Sequence, residues 1–260
     1  MPYADVNGQS LYYEDSGGTG PAVIFSHGFL MDHEMFASQV EVLSDNFRCI
    51  TWDQRGFGKT GGIPKPFTYW DSARDCLGIL SHLAIRQATM VGMSQGAFLS
   101  LRTALLEPQR VKAMVLIDTR SGTDSQETIT AFHNIKAEWL ANGSANVQEG
   151  LAGFLLGSSY DPKPWFEKWA KMPKEAMAPT IDVLVDRDDV TDRLNEITCP
   201  VLVFHGDADV AIPPEHGYAL HKALANSTGF VSVPGAGHTS NLTHPEHVNG
   251  PLVEFLQKYA

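Results

Sequence analysis

The chain has 260 residues, 43% of them hydrophobic and 19% charged, with a formal net charge of −11 at pH 7. That balance belongs to a folded domain with a sizeable core and excludes a disordered chain. An acidic protein without any run of Lys and Arg is also excluded as a binder of phosphate backbones, so no nucleic-acid partner is expected.

The opening stretch MPYADVNGQSLYYED has no basic segment followed by an apolar one, so no secretory signal is expected. Within it, YADV (3–6) and LYYED (11–15) flank Asn7-Gly8, which predicts an antiparallel hairpin. Short apolar runs follow at 22–28, 48–53, 88–94, 112–118, 200–209 and 229–238, each ending in turn residues. Runs of this kind suit strands buried on both faces. Between them, 33–44, 70–83 and 95–108 place apolar residues at helical spacing, as Met35, Phe36, Val40 and Leu43 do in the first. Alternating strands and helices predict a mostly parallel sheet with helices on both faces.

The alternation breaks at 121–195, where Phe132, Trp139, Phe154, Trp165, Trp169 and Met177 lie in helical surroundings. We read 1–120 and 196–260 as the core and 121–195 as a helical cap over the strands' carboxyl ends, where open α/β sheets bind ligands. Near the end, Asn249-Gly250-Pro251 is expected to cap one helix and restart the next. No apolar run reaches the roughly 18 residues of a membrane span, so no membrane association is expected. Cys49, Cys76 and Cys199 form an odd, scattered set, read as free thiols of a reducing compartment, and the expected location is cytoplasmic.

The stretch VGMSQG contains Gly92-Met93-Ser94-Gln95-Gly96, a G-x-S-x-G pattern between a predicted strand and a predicted helix. A nucleophile elbow needs that context: the turn lifts the serine hydroxyl to the helix N-terminus, and small neighbours avoid clashes. A serine hydroxyl needs a base, and the base a carboxylate that orients it. His238 follows the last apolar run, and Asp207 and Asp209 follow the run before it; Asp118, also at a strand end, is a further candidate acid. The backbone N–H groups of Gln95 and Phe29 are the candidate donors to an oxyanion. Gly28 and Leu30 of the first loop, and Phe154 and Trp165 of the cap, are candidate substrate contacts. Asp53 and Arg55 are read as holding a turn. His216 and His221, or His244 and His247, lack the HExxH arrangement, and no metal is expected.

HGF (27–29), WDQRGFGKT (52–60), GMSQG (92–96), HGDAD (205–209) and GAGH (235–238) together resemble the α/β-hydrolase family, in its order and over nearly the whole chain. Small bacterial carboxylesterases, 3-oxoadipate enol-lactonases and cofactor-free haloperoxidases look most similar. The resemblance implies a sheet of about eight strands with a cap, and it selects Asp209, the last residue of a G-x-x-D stretch, over Asp207. It implies a serine hydrolase with Ser94 as nucleophile and His238 as base, acting without cofactor on a small ester. Family members that act through an aspartate nucleophile differ at Ser94. Gln95 stands where enol-lactonases and haloperoxidases often have Met, and Leu30 where epoxide hydrolases have Pro. Lactone or carbon–carbon hydrolysis with the same residues, or slow turnover in a small-molecule receptor, are the alternative functions; a homo-oligomer is compatible with the sequence.

Overall fold

A computed structural model describes residues 2–260. Its eight strands are β1 (Tyr3–Val6), β2 (Gln9–Asp15), β3 (Ala22–Ser26), β4 (Arg48–Trp52), β5 (Ala88–Met93), β6 (Val111–Ile117), β7 (Val201–Gly206) and β8 (Ser227–Val233). They form one sheet in the order β1-β2-β4-β3-β5-β6-β7-β8. The β1–β2 and β2–β4 pairs are antiparallel and all the others parallel. Asn7 and Gly8 take positive φ values of 50° and 73°, which matches the twist of the flanking strands and closes the first hairpin. Every residue of β5 and of β7 is buried, which is why these strands read as continuous apolar runs.

The helices are α1 (Ala37–Leu43), α2 (Tyr69–His82), α3 (Gln95–Leu106), α4 (Gln126–Asn142), α5 (Gln148–Leu155), α6 (Lys163–Trp169), α7 (Met177–Val185), α8 (Pro214–Ala223), α9 (Ser240–Thr243) and α10 (Pro245–Tyr259). The start of α2 is fixed by a capping box, in which the Thr68 side chain accepts from Asp71 N–H and the Asp71 carboxylate accepts from Thr68 N–H. Chain order runs from β3 to β4 on one side and then to β5 on the other. Right-handed crossovers therefore put α1 on the opposite face from α2 and α3. The switch in direction leaves a crevice at the carboxyl ends of β3 and β5.

Helices α4 to α7 all fall between β6 and β7. Many of their apolar residues, among them Trp139, Leu151, Leu155, Trp165, Trp169, Met177 and Ile181, are buried. Two contacts tie this insertion to the loop after β3. Trp169 Nε1 donates to Leu30 O at 2.6 Å, and Lys168 Nζ lies 2.7 Å from both Asp32 and Glu34.

The last helix corrects a sequence expectation. Asn249-Gly250-Pro251 does not end one helix and restart another: α10 runs through it with Pro251 inside. The missing Pro251 N–H removes one intrahelical bond. Burial of Val248, Leu252, Phe255 and Leu256 on one face offsets it. Asn249 instead joins α10 to α1, accepting from Gln39 Nε2 at 2.7 Å and donating to Ser38 Oγ at 3.0 Å. The predicted helix at 33–44 also opens differently, with a 3-10 turn over His33–Phe36 capped by Asp32.

Candidate active site

Ser94 occupies the turn between β5 and α3 with φ 50° and ψ −113°, a conformation that side-chain-bearing residues rarely adopt. Its N–H donates to Ile117 O at 2.9 Å, and its carbonyl accepts from Ala97 and Phe98 at the start of α3. The flanking glycines are required by space. A Cβ on Gly92 would run into the Gly96 backbone, and one on Gly96 into the Ser26 carbonyl.

The turn brings Ser94 Oγ to 2.9 Å from His238 Nε2, and His238 Nδ1 lies 2.9 Å from Asp209 Oδ2. A carboxylate only accepts, so Nδ1 carries the proton and Nε2 is left to accept from the serine hydroxyl. Asp209 Oδ1 accepts the backbone N–H groups of Ala211 at 2.8 Å and Ile212 at 2.9 Å. Burial pushes the Asp209 carboxyl up, but His238, His205 and these N–H donors outweigh it and hold the group below the ordinary carboxylate range. Asp207 lies apart: it is exposed, and its carboxylate accepts from Gly235 N–H at 2.7 Å.

The loop after β3 is built around His27, which is fully buried. His27 Nε2 accepts from Gln54 N at 2.9 Å, so its Nδ1–H donates to Gly28 O at 2.8 Å. Leu30, with φ 60°, completes a tight turn closed by Met31 N–H to Gly28 O at 3.1 Å. Among the described residues, neither Phe29 N–H nor Gln95 N–H has a backbone or side-chain acceptor. Asp53 and Arg55 hold their turn and anchor it to its neighbours. Asp53 accepts from His33 and from Lys59 N–H, and Arg55 pairs with Asp75 at 2.6 Å.

A small cavity of about 30 Å³ opens on Ser94 and His238. Phe29 and Phe98 line it from the core, and Asp124, Thr128, Phe132, Phe154, Leu155, Leu184 and Arg187 from the segment between β6 and β7. Thr128, Phe132 and Phe154 also line an apolar groove of about 520 Å³ between α4 and α5. Of the four substrate contacts expected from sequence, only Phe154 lines the cavity. Gly28 is enclosed beside Met93. Leu30 points its backbone to Trp169 and lines a separate cleft, and Trp165 is buried with Lys168 Nζ 4.4 Å from its ring centroid. An aromatic ring serves helix packing as well as substrate contact, and its sequence does not separate the two uses.

Sequence reasoning did not single out Arg187, Asp124 or His205. Arg187 stands two residues past the apolar run that ends α7 at Val185, and that proximity is the signal available in the sequence. Asp118, considered as an acid, does not reach His238. It is fully buried, and its two oxygens accept from Gly206 N–H and Ser240 N–H, each at 2.8 Å. Burial, and then the charge of Asp209, push the Asp118 carboxyl up to about 6. His205 lies with its Nε2 3.2 Å from Asp209 Oδ2 and 2.7 Å from Ile212 O. Burial disfavours charge on His205, yet the carboxylates of Asp209 and Asp118 raise its pKa overall.

These shifts give a stability prediction. A carboxyl whose pKa rises on folding stabilises the fold below its unfolded value of 3.8, and that contribution is lost as pH rises through about 6. Asp209, depressed on folding, acts oppositely: its contribution is present at neutral pH and is lost as pH falls through its low folded value. Asp118→Asn removes the first contribution. The wild-type advantage over this variant in unfolding free energy, measured with urea, is expected to shrink from about pH 4 to about pH 7. An advantage that stays flat or grows contradicts the assignment.

Among the described residues, no helix is long and apolar enough to cross a membrane. A family model for the alpha/beta hydrolase fold matches residues 21–245. The chain is 30% identical to a putative non-heme chloroperoxidase from Synechocystis sp., covering 99% of this chain and 100% of that protein. A thermophilic esterase from Thermogutta terrifontis superposes with a TM-score of 0.89 at 30% identity, covering 98% of this chain and 97% of the other. The enol-lactonase from Burkholderia xenovorans LB400 superposes with a TM-score of 0.90 at 26% identity, covering 98% of this chain and 100% of the other. The likeness spans the strand-and-helix core and the helices between β6 and β7 alike, and the chain belongs to the alpha/beta-hydrolase family as a hydrolase.

Proposed function

We propose that the protein is a serine hydrolase that cleaves carboxylic esters through an acyl-enzyme. The observation that carries this reading is the continuous chain from Ser94 Oγ through His238 to Asp209, each link 2.9 Å. In the first half-reaction His238 Nε2 takes the hydroxyl proton as Ser94 Oγ attacks the ester carbonyl. The Phe29 and Gln95 N–H groups, which have no other acceptor among the described residues, receive the oxyanion. His238 then gives its proton to the departing alkoxide, and the alcohol leaves. In the second half, His238 takes a proton from water, the hydroxide attacks the acyl carbon, and the proton returns to Ser94 Oγ as the acid is released. Asp209 holds the imidazole tautomer and stabilises the imidazolium of both steps.

The cavity at Ser94 has room for little beyond the reacting group, and the groove between α4 and α5 is the apolar space beyond Phe132 and Phe154. One branch of the ester lies along it. The same machinery opens a lactone, the ester of a ring, and one of the structural relatives is an enol-lactonase.

Covalent labelling tests the proposal. A fluorophosphonate is expected to add once per chain, with mass spectrometry locating the adduct on Ser94, and to leave Ser94→Ala unlabelled. Labelling elsewhere, or none, contradicts the assignment of the nucleophile.

A further inference from the structure

Besides Ser94 and His238 themselves, the polar residues that line the cavity at Ser94 are Arg187, Asp124 and Thr128. A guanidinium has five N–H groups. At Arg187 three are used within the protein. Nε donates to Gly122 O at 3.2 Å, and Nη1 donates to Leu184 O at 2.6 Å and to Asp124 Oδ2. Nη2 is buried and has no partner among the described residues. The group is held in place rather than loose: its Cζ stands 4.3 Å from the centroid of Phe98, another residue of the cavity wall, and only 1% of its side chain is exposed.

Arg187 shares its carboxylate partner with a second arginine. Asp124 is shared, with Oδ1 3.1 Å from Arg120 Nη2 and Oδ2 on Arg187. Two buried guanidinium groups thus face one buried carboxylate. Arg102 adds nothing to the balance, because it pairs with Asp188 at 2.7 Å. Asp209 also acts on Arg120 through its charge, but its oxygens are engaged by His238, by two backbone N–H groups and by His205, 3.2 Å away. A buried donor without an acceptor is costly, and Arg187 Nη2 is one. A bound carboxylate relieves this cost, since guanidinium N–H groups meet carboxylate oxygens in charge-assisted hydrogen bonds.

We propose that the substrate is an ester or lactone carrying a carboxylate, which Arg187 receives through Nη2 while the ester carbonyl lies at Ser94. The proposal rests on the serine-hydrolase reading for the bond that is cut, and it adds the chemical class of the molecule. Arg187 is in this account a binding residue that sets specificity.

Paired esters test it. Monomethyl succinate, glutarate and adipate are compared with methyl butanoate, pentanoate and hexanoate, and 3-acetoxypropanoate with propyl acetate. Wild-type kcat/KM is expected to favour the anion in at least one pair by on the order of 10- to 100-fold, the worth of a charge-assisted hydrogen bond. The ratio is expected to fall toward one in Arg187→Met and to recover in part in Arg187→Lys. Preference for the neutral ester in every wild-type pair overturns the proposal, whether or not the variants fold. A ratio that persists in Arg187→Met overturns it as well. If no ester is turned over, the serine-hydrolase reading fails. The subsite is then read by calorimetry on Ser94→Ala, where tighter binding of the anion than of its neutral partner upholds it and equal binding overturns it.

Discussion

Ser94→Ala is expected to lower kcat for ester hydrolysis by on the order of 10⁴- to 10⁶-fold, because nucleophile and base act as a unit and neither functions alone. The fold should survive. The substitution removes one hydrogen bond, the one to His238 Nε2, and an imidazole nitrogen without a partner in a substrate cavity is open to water. The positive φ at position 94 is held by the bond to Ile117 O and by the start of α3, which do not involve the side chain. Unchanged thermal unfolding together with abolished turnover is therefore the expected pair of results. A variant that keeps its activity contradicts the role of the turn.

Asp209→Asn is expected to cost about 10⁴-fold in kcat. The amide oxygen can still accept from Ala211 and Ile212, which places the amide nitrogen where Oδ2 meets His238 Nδ1. Two donors then face each other unless the imidazole moves its proton to Nε2. That tautomer presents N–H to Ser94 Oγ and cannot take the serine proton. Asp207→Asn provides the control. Its oxygen still accepts from Gly235 N–H at the surface, and activity should stay within a few-fold of wild type by the usual size of surface effects. Kinetics on both variants check the ranking, and the reverse order contradicts the choice of acid.

Much of this arrangement was legible in the sequence because it is local. Ser94, Asp209 and His238 each follow an apolar run, and in a parallel sheet the ends of successive runs lie on one edge. The choice between Asp207 and Asp209 was not local: both follow β7, and only the resemblance to a family separated them. In the structure the difference is that Asp209 turns back under Ala211 and Ile212 whereas Asp207 reaches out to Gly235.

The residues that line the cavity from above the sheet were less legible. Trp165 and Phe154 are equally apolar and lie in neighbouring helices, yet only Phe154 reaches the cavity. How α4 to α7 pack on one another decides this, and periodicity within one helix does not carry that information. Arg187 was hidden for a related reason. It stands in an acidic stretch, VDRDDV, that reads as a solvated helix end, and only the fold shows it buried against Phe98. Pro251 shows the opposite failure: a strong local breaker overridden by the buried face of α10.

The central claim is catalysis at Ser94 with turnover. The measurement that tests it most directly is steady-state release of p-nitrophenol from p-nitrophenyl esters, acetate through octanoate, with wild type and Ser94→Ala side by side. The account predicts many turnovers per chain for the wild type on at least one ester and none above background for the variant. A single stoichiometric burst without turnover, or equal rates for the two proteins, would contradict it.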